Sequence, residues 1–291
     1  MKEFKINLDC DKNTFKLMVL GDLHIGDPLC DIDLIKETLD FVKKTKDCYV
    51  ILNGDLINNA LKTSKSDSYL EQMTIEQEQE MLIELLKPVK NRILVMATGN
   101  HEYRTSLLAG INPLKAVAYA LDIKDKLVDD AYVLDINFGI NSGNKACKNK
   151  YVVFGIHGGS GGGRRAGATT NALQDMALIR PDMDLYIHSH THTSVNYNDL
   201  VFLYDRKTGK TKEHQRTYYN ANAFLKYGGY AEKKGYKPAD RQPSVLVIKT
   251  QRKKDGMKTL TNIVRIWLWI EKSNKKEMLK DVKQKCSNKK L

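Results

Sequence analysis

The sequence predicts an α/β (α+β) fold in which a parallel, helix-connected sheet is closed over by a second, mainly antiparallel sheet. Three observations carry this. Short apolar runs alternate with amphipathic segments through the first two-thirds of the chain. Successive apolar runs end at short Gly/Asp/Asn/His motifs, and the carboxyl ends of parallel strands gather on one edge of such a sheet. After residue 194 the texture changes to strand-like segments around tight turns.

Each element follows from its residues. Residues 15–20 (FKLMVL) are an apolar run ending at Gly21, which predicts a buried strand. Residues 31–46 set Ile32, Ile35, Leu39 and Val42 at helical spacing, with Asp31 or Asp33 available as the cap. Residues 48–52 form a second strand, and 69–87 a second helix stopped by Pro88. Residues 92–97 are a third strand, and Asn112-Pro113 opens a helix near 113–122. Residues 151–156 and 184–187 are two further strands. Residues 200–204 and 216–220 flank a hairpin-like turn at 205–209, and 244–249 and 260–270 are also strand-like. No repeat or linker divides the chain. Residues 1–271 are expected to form one domain, with motifs over 16–193, a closing antiparallel sheet over 194–271, and a basic tail at 272–291.

Composition narrows the classes. The 291 residues are 42% apolar and 28% charged, enough for a sizeable core with an ordinary surface. No apolar run approaches the roughly 20 residues that span a bilayer. The N-terminus lacks the apolar stretch of a signal peptide, so a cytoplasmic location and no membrane partner are expected. The five cysteines (10, 30, 48, 147, 286) form no CxxC pair and read as reduced thiols. Any metal is therefore held by oxygen and nitrogen. Residues 249–291 carry 14 Lys+Arg against 4 Asp+Glu, so +10 of the net +12 sits there. Such a tail can grip a phosphate backbone by counterion release. It also fits a solvated lysine-rich end that keeps the protein soluble.

The chemistry is concentrated in a few motifs. Six of the seven histidines fall in segments that follow apolar strands; only His214 lies outside. The segments are Gly21-Asp22-Leu23-His24, Gly54-Asp55, Gly99-Asn100-His101-Glu102, His157, and His188-Ser189-His190-Thr191-His192. Each alone is a turn or a helix cap. Together, at five successive strand ends, Asp, Asn and His make the mixed ligand set that borderline divalent ions take.

In this order the motifs resemble the calcineurin-like metallophosphoesterase family over about residues 16–193. The resemblance implies a two-sheet β-sandwich flanked by helices. It implies two divalent metals, Mn first, with Fe, Zn, Ni or Co as alternatives. By resemblance Asp22, His24 and His192 hold one ion, Asn100, His157 and His190 the other, and Asp55 bridges both. Two ions about 3.5–4 Å apart can share a hydroxide and clamp an in-line displacement at phosphorus. His101 is implied as a proton donor or phosphate contact, with Glu102 orienting it through its other ring N–H. The family usually has Gly-His-x-His where Ser189 stands here. His188, His190 and His192 share one face if they lie on a strand, so pairing 188 with 190 stays open beside 190 with 192. His188 otherwise supports a ligand from behind or packs as a strand residue.

The segment 158–165 (GGSGGGRR) follows His157, so Arg164 and Arg165 are candidate phosphate contacts. Arg104 and Tyr103 are weaker ones, and the aromatic and lysine-rich segment 224–236 borders the cleft or packs as a loop. The expected activity is a metal-dependent phosphoric ester hydrolase, a phosphodiesterase acting on nucleotides or on DNA or RNA, with the family's nuclease branch as one option. A phosphomonoesterase, including a protein phosphatase, is the nearest alternative. A non-catalytic scaffold would have lost a ligand or the histidine of the GNH motif, and none is lost.

Overall fold

The computed structural model describes residues 1–8, 10, 13–62, 73–140, 147–158, 166–253 and 256–266. In chain order the elements are β1 (Lys2–Leu8), β2 (Thr14–Leu20), α1 (Ile32–Lys44), β3 (Cys48–Asn53), α2 (Ile75–Leu86), β4 (Ile93–Ala97), α3 (Asn100–Ala109) and α4 (Leu114–Ala120). There follow β5 (Leu127–Val128), β6 (Tyr132–Ile140), β7 (Cys147–Gly155), α5 (Ala166–Ile179) and β8 (Leu185–His188). The chain continues through β9 (Val195–Asp205), β10 (Lys210–Asn220), α6 (Gly229–Lys233), β11 (Ser244–Lys253) and β12 (Gly256–Arg265).

Two six-stranded sheets form, in the orders β12-β11-β2-β3-β4-β5 and β1-β6-β7-β8-β10-β9. In the first, β2 to β5 are parallel and β11 and β12 extend them antiparallel. The second is mixed: β1 with β6, β7 with β8 and β8 with β10 are parallel, while β6/β7 and β9/β10 are antiparallel.

Side-chain alternation explains the layering. On β2, Phe15, Leu17 and Val19 face Phe138, Val153 and Leu185 of the other sheet, in a core between the sheets. Met18 and Leu20 point the opposite way, into a second core with Ile35 and Leu39 of α1, Leu82 of α2 and Val117 of α4. The second sheet turns Phe154, Tyr186 and Tyr218 outward onto Leu173 and Met176 of α5. The result is a sandwich with helices on both outer faces. Truncating a fully buried leucine such as Leu17 to alanine should cost about 2–5 kcal/mol.

The α/β sandwich matches the expectation, but its strand allocation differs. Strands 151–156 and 184–187 do not extend the parallel sheet; β7 and β8 belong to the second one. Conversely, β11 and β12 join the first sheet rather than closing over it. Local apolar patterning says that a run is a buried strand, not which neighbour pairs with it. Strand β1 and the long β6, not foreseen, supply the rest of the second sheet.

Helix boundaries also move. In α1, Asp31 is the cap, its carboxylate accepting from Leu34 N. Helix α2 begins at a Thr74/Gln77 capping box, not at 69; residues 63–72 lie outside the described residues. Pro88 does not end the run abruptly but sits in the first turn of a 3₁₀ segment, Lys87–Arg92, where its missing N–H costs nothing. Helices α3 and α5 were not anticipated. In α3 only Glu102 is buried, so no apolar stripe announces it.

Candidate binuclear metal centre

The centre forms where the carboxyl ends of β2, β3, β4, β7 and β8 meet. The chains after β2 and β3 stay zipped together beyond the sheet: Asp22 N donates to Gly54 O (3.0 Å) and His24 N to Asp55 O (3.0 Å). A parallel bridge between Ile25 and Ile57 continues the pairing. On the second sheet, Ser189 N donates to His157 O (3.1 Å), setting the segment after β8 beside the end of β7.

Two glycines let these loops close. Gly54 has φ +83, and a Cβ there would lie 2.6 Å from His157 Nδ1. A Cβ on Gly99 would come within 2.2 Å of Asp55 N. The backbone is strained at the candidate ligands themselves: Asp22, His24, Asp55, His190 and His192 have φ of 50°, 48°, 49°, 67° and 52°. Left-handed non-glycine residues each cost about 1–3 kcal/mol and concentrate at functional sites. These left-handed residues turn the chain out of the strand direction just past β2, β3 and β8. The H-x-H-x-H segment is accordingly not a strand, since β8 ends at His188.

Two triads with ligand spacing emerge: Asp22, His24 and His192, and Asp55, His157 and His190, the ligand atoms within each lying within 4.8 Å of one another. In the first, His192 Nε2 lies 3.4 Å and His24 Nε2 3.9 Å from Asp22 Oδ1. In the second, His157 Nε2 lies 3.2 Å from Asp55 Oδ2 and 3.1 Å from Asn100 Oδ1. Asp55 Oδ2 is also 3.9 Å from His24 Nε2, so this carboxylate stands between the triads. A third grouping joins His24, Asp55 and His101. His188 is in none of them. Its Nδ1 is 2.8 Å from Asn220 Oδ1, and it is packed at the end of β8.

The donor set fits divalent cations. Asp22 and Asp55 are 0% and 1% exposed, with imidazoles as close neighbours, and burying two such anions is costly without compensating positive charge. The Nε2 atoms of His24 and His192 face each other at 3.2 Å, an arrangement that a shared Lewis acid satisfies. Burial, reinforced by His101, holds His24 well below the usual imidazole range, keeping its lone pair free. Burial also opposes charge on His157, yet Asp55 and then Asp22 outweigh it and lift the imidazole to about 10. The positions facing the carboxylates therefore demand a cation, and protons and metals compete for the same lone pairs. His157 Nδ1 is 2.7 Å from Asn53 O, which turns Nε2 inward.

His101 stands at the edge of the centre. Its Nδ1 is 2.7 Å from Asn58 O and its Nε2 is 3.8 Å from Asp55 Oδ2. Glu102 does not orient it, contrary to expectation. As the third residue of α3, Glu102 points back under the Asp55 loop and accepts four backbone N–H groups: Gly99 (2.8 Å), Asp55 (3.1 Å), Leu56 (2.6 Å) and Ile57 (3.1 Å). Burial and then the Asp55 charge push its carboxyl up to about 7. Glu102 thus ties the Asp55 loop to the turn that opens α3.

Arg104 follows one turn into α3 and is partly buried, its field felt by His101. Tyr103 is exposed. Arg164 and Arg165 lie outside the described residues. The segment from 224 borders the Asp22 loop, with Phe224 N donating to Asp22 O (3.0 Å) and Lys226 N to Leu29 O (2.8 Å). Sequence reasoning missed Asn53 and Tyr132, whose bonds run behind the centre. Asn53 had one signal, its place directly before Gly54-Asp55.

Two buried carboxylates with buried and half-buried imidazoles and a half-buried amide, drawn from both sheets, form two candidate metal-binding clusters consistent with the binuclear centre of hydrolytic phosphoesterases. The family model described as calcineurin-like phosphoesterase matches residues 15–194, and the chain belongs to that family. Among solved structures, the chain is similar to a conserved uncharacterised protein, titled a predicted phosphoesterase, from Streptococcus pneumoniae TIGR4. That match has 12% identity and a TM-score of 0.34, covering 86% of this chain and 98% of the other. It is also similar to vacuolar protein sorting 29 from Cryptosporidium parvum, at 12% identity and a TM-score of 0.35, covering 87% and 98%. At such scores these likenesses add nothing to the family assignment. No curated protein matches. Among the described residues, no helix is long and apolar enough to cross a membrane.

Proposed function

We propose that this protein is a binuclear-metal phosphodiesterase acting on nucleotides or nucleic acid. The observation that carries the reading is the pair of triads, in which Asp55 belongs to the second and also lies 3.9 Å from His24 of the first. Asp22, His24 and His192 would hold one ion, Asn100, His157 and His190 the second, and Asp55 both. Manganese is the first candidate, since this donor set suits several borderline ions. When bound, two such ions supply Lewis-acid activation of water and charge stabilisation at phosphorus.

The chain's own residues account for the rest. His101, with Nδ1–H donating to Asn58 O, presents Nε2 to the centre and, as the imidazolium, can protonate a departing alkoxide from Nε2 and leave as the neutral ring. That step matters most for diesters with poor leaving groups, and general-acid help of this kind is worth about 10²–10⁴-fold. Arg104, whose charge is felt by His101 and Asp55, and Arg164 and Arg165, which follow the His157 segment in sequence, are the candidate phosphate contacts. The net charge of +12 suits a polyanionic substrate.

The test is a panel of substrates with Mn²⁺-loaded protein. Hydrolysis of bis-p-nitrophenyl phosphate well above the monoester, with cleavage of DNA, RNA or cyclic nucleotides, is the expected result. Preference for the monoester would replace this reading with a phosphatase. Tight binding of two ions without turnover on any phosphoester would point to a scaffold.

A further inference from the structure

Both triads straddle the two sheets, so their geometry depends on how the sheets are registered at this edge. Asp22, His24 and Asp55 come from the first sheet, whereas His157, His190 and His192 come from the second. The core between the sheets is largely apolar. Apolar contact is strong but non-directional, and by itself it does not hold ligands to a few tenths of an ångström.

One buried polar side chain does cross the gap directly beneath the centre. Asn53, 0% exposed, is the last residue of β3 and immediately precedes Gly54-Asp55. Its Nδ2 donates to Ile156 O (3.1 Å) and to Ser189 Oγ (2.7 Å). Its Oδ1 accepts from Tyr132 OH (2.9 Å), and its carbonyl faces His157 Nδ1 at 2.7 Å. These contacts reach β6, the residue just before His157, and the residue just before His190. Ser189, where the family usually has glycine, is part of the clip; it fits because Gly21 leaves room, a Cβ there lying 2.6 Å from Ser189 Oγ.

Resting on the two-ion reading above, we propose that Asn53 is a positioning residue that sets the spacing between the two metal half-sites by fixing the second sheet's histidines against the first sheet's aspartates. It touches neither substrate nor ion. Its side chain accounts for the register of the His157 and His190 segments at once, which no single ligand does. Loss of an outer-shell partner typically weakens metal binding about 10–100-fold, and here three side-chain bonds are lost together.

The experiment is Mn²⁺ titration by calorimetry, with electron paramagnetic resonance of the loaded protein, on wild type, Asn53→Ala, Tyr132→Phe and Asn149→Ala. Tyr132→Phe removes one donor to Asn53 and keeps the buried ring. Asn149→Ala loosens another inter-sheet contact, Asn149 Nδ2 to Asn13 Oδ1 (3.3 Å), at the far end of β7. Wild type should bind two ions with an exchange-coupled spectrum. Asn53→Ala should lose the coupling and bind the weaker ion about 10–100-fold less tightly, with Tyr132→Phe shifted the same way by less. Asn149→Ala should lose stability yet keep the coupled signal. Coupled spectra and unchanged affinities in both Asn53→Ala and Tyr132→Phe would overturn the assignment of Asn53 alone. Should Asn53→Ala fail to fold, Tyr132→Phe against Asn149→Ala decides. A wild type that binds fewer than two ions would remove the centre itself, and both readings with it.

Discussion

The first sheet brings Asp22, His24, Asp55 and Asn100 to the centre, whereas the second brings only histidines, His157, His190 and His192. The carboxylates are sealed from solvent, and the His192 side chain is 36% exposed. The anionic side is also the better braced. Its two loops are zipped to each other, Glu102 gathers three backbone N–H groups of the Asp55 loop together with that of Gly99, and Asp22 accepts from His190 N at 2.9 Å. The difference separates two tasks. Buried negative charge creates the demand for cations, and of the imidazoles His190 and His192 are the more open while His24 and His157 are buried with the carboxylates.

That comparison breaks or holds on a pair of variants with the largest expected effects. Asp55→Ala should abolish the binding of both ions and drop turnover by far more than the roughly 10–100-fold cost of an outer partner. His192→Ala should lose one ion and retain the other. Metal analysis after gel filtration reads both directly. Equal losses from the two variants would erase the distinction between the sheets.

A smaller effect sharpens the bracing argument. In Glu102→Gln one carboxylate oxygen becomes an NH₂ group facing backbone N–H donors. Leaving a buried donor unpaired costs about 1–3 kcal/mol, so thermal denaturation without metal should show a clear loss of stability. Mn²⁺ affinity should fall while two-ion stoichiometry survives. A melting curve identical to wild type would show that the loop does not depend on Glu102.

The smallest effect probes the second sheet away from the centre. Asp184, just before β8, accepts from Val152 N (2.7 Å), and burial pushes its carboxyl up from 3.8 to about 6. A raised carboxyl favours the folded protein while protonated, so this contribution is present below about pH 4 and lost as pH rises through about 6. Asp184→Asn should therefore be more stable than wild type at pH 8, by at most about 3 kcal/mol. The gap should close on acidification to pH 4. A gap that widens on acidification would reverse the sign assigned to Asp184.

Much of the site was legible before the fold. Asp22, Asp55 and Asn100 announce themselves because each follows a dense apolar run, and parallel strands deliver their carboxyl ends to one edge. The histidines were visible as residues but not in their register. His188, His190 and His192 look equivalent on a strand; left-handed turns at 190 and 192 separate them from His188, which packs against Asn220. Glu102 was visible as part of the GNHE motif, yet its role was misjudged, because whether a helix's third residue faces a ring or a loop depends on where that loop returns. Asn53 carried almost no signal, since its partners are 79, 103 and 136 residues away.

The candidate ligand residues, their order along the chain and the alternation of strand and helix are all readable in the residues alone, and with them the chemistry such a centre would support. These are local properties, written in apolar period and in donor chemistry. The tertiary structure alone decided which strands share a sheet, which two of three histidines turn inward, and how two sheets are clipped at the ligand edge. Those outcomes rest on pairings between distant segments and on backbone strain held by the surrounding packing, and neither leaves a local pattern to read.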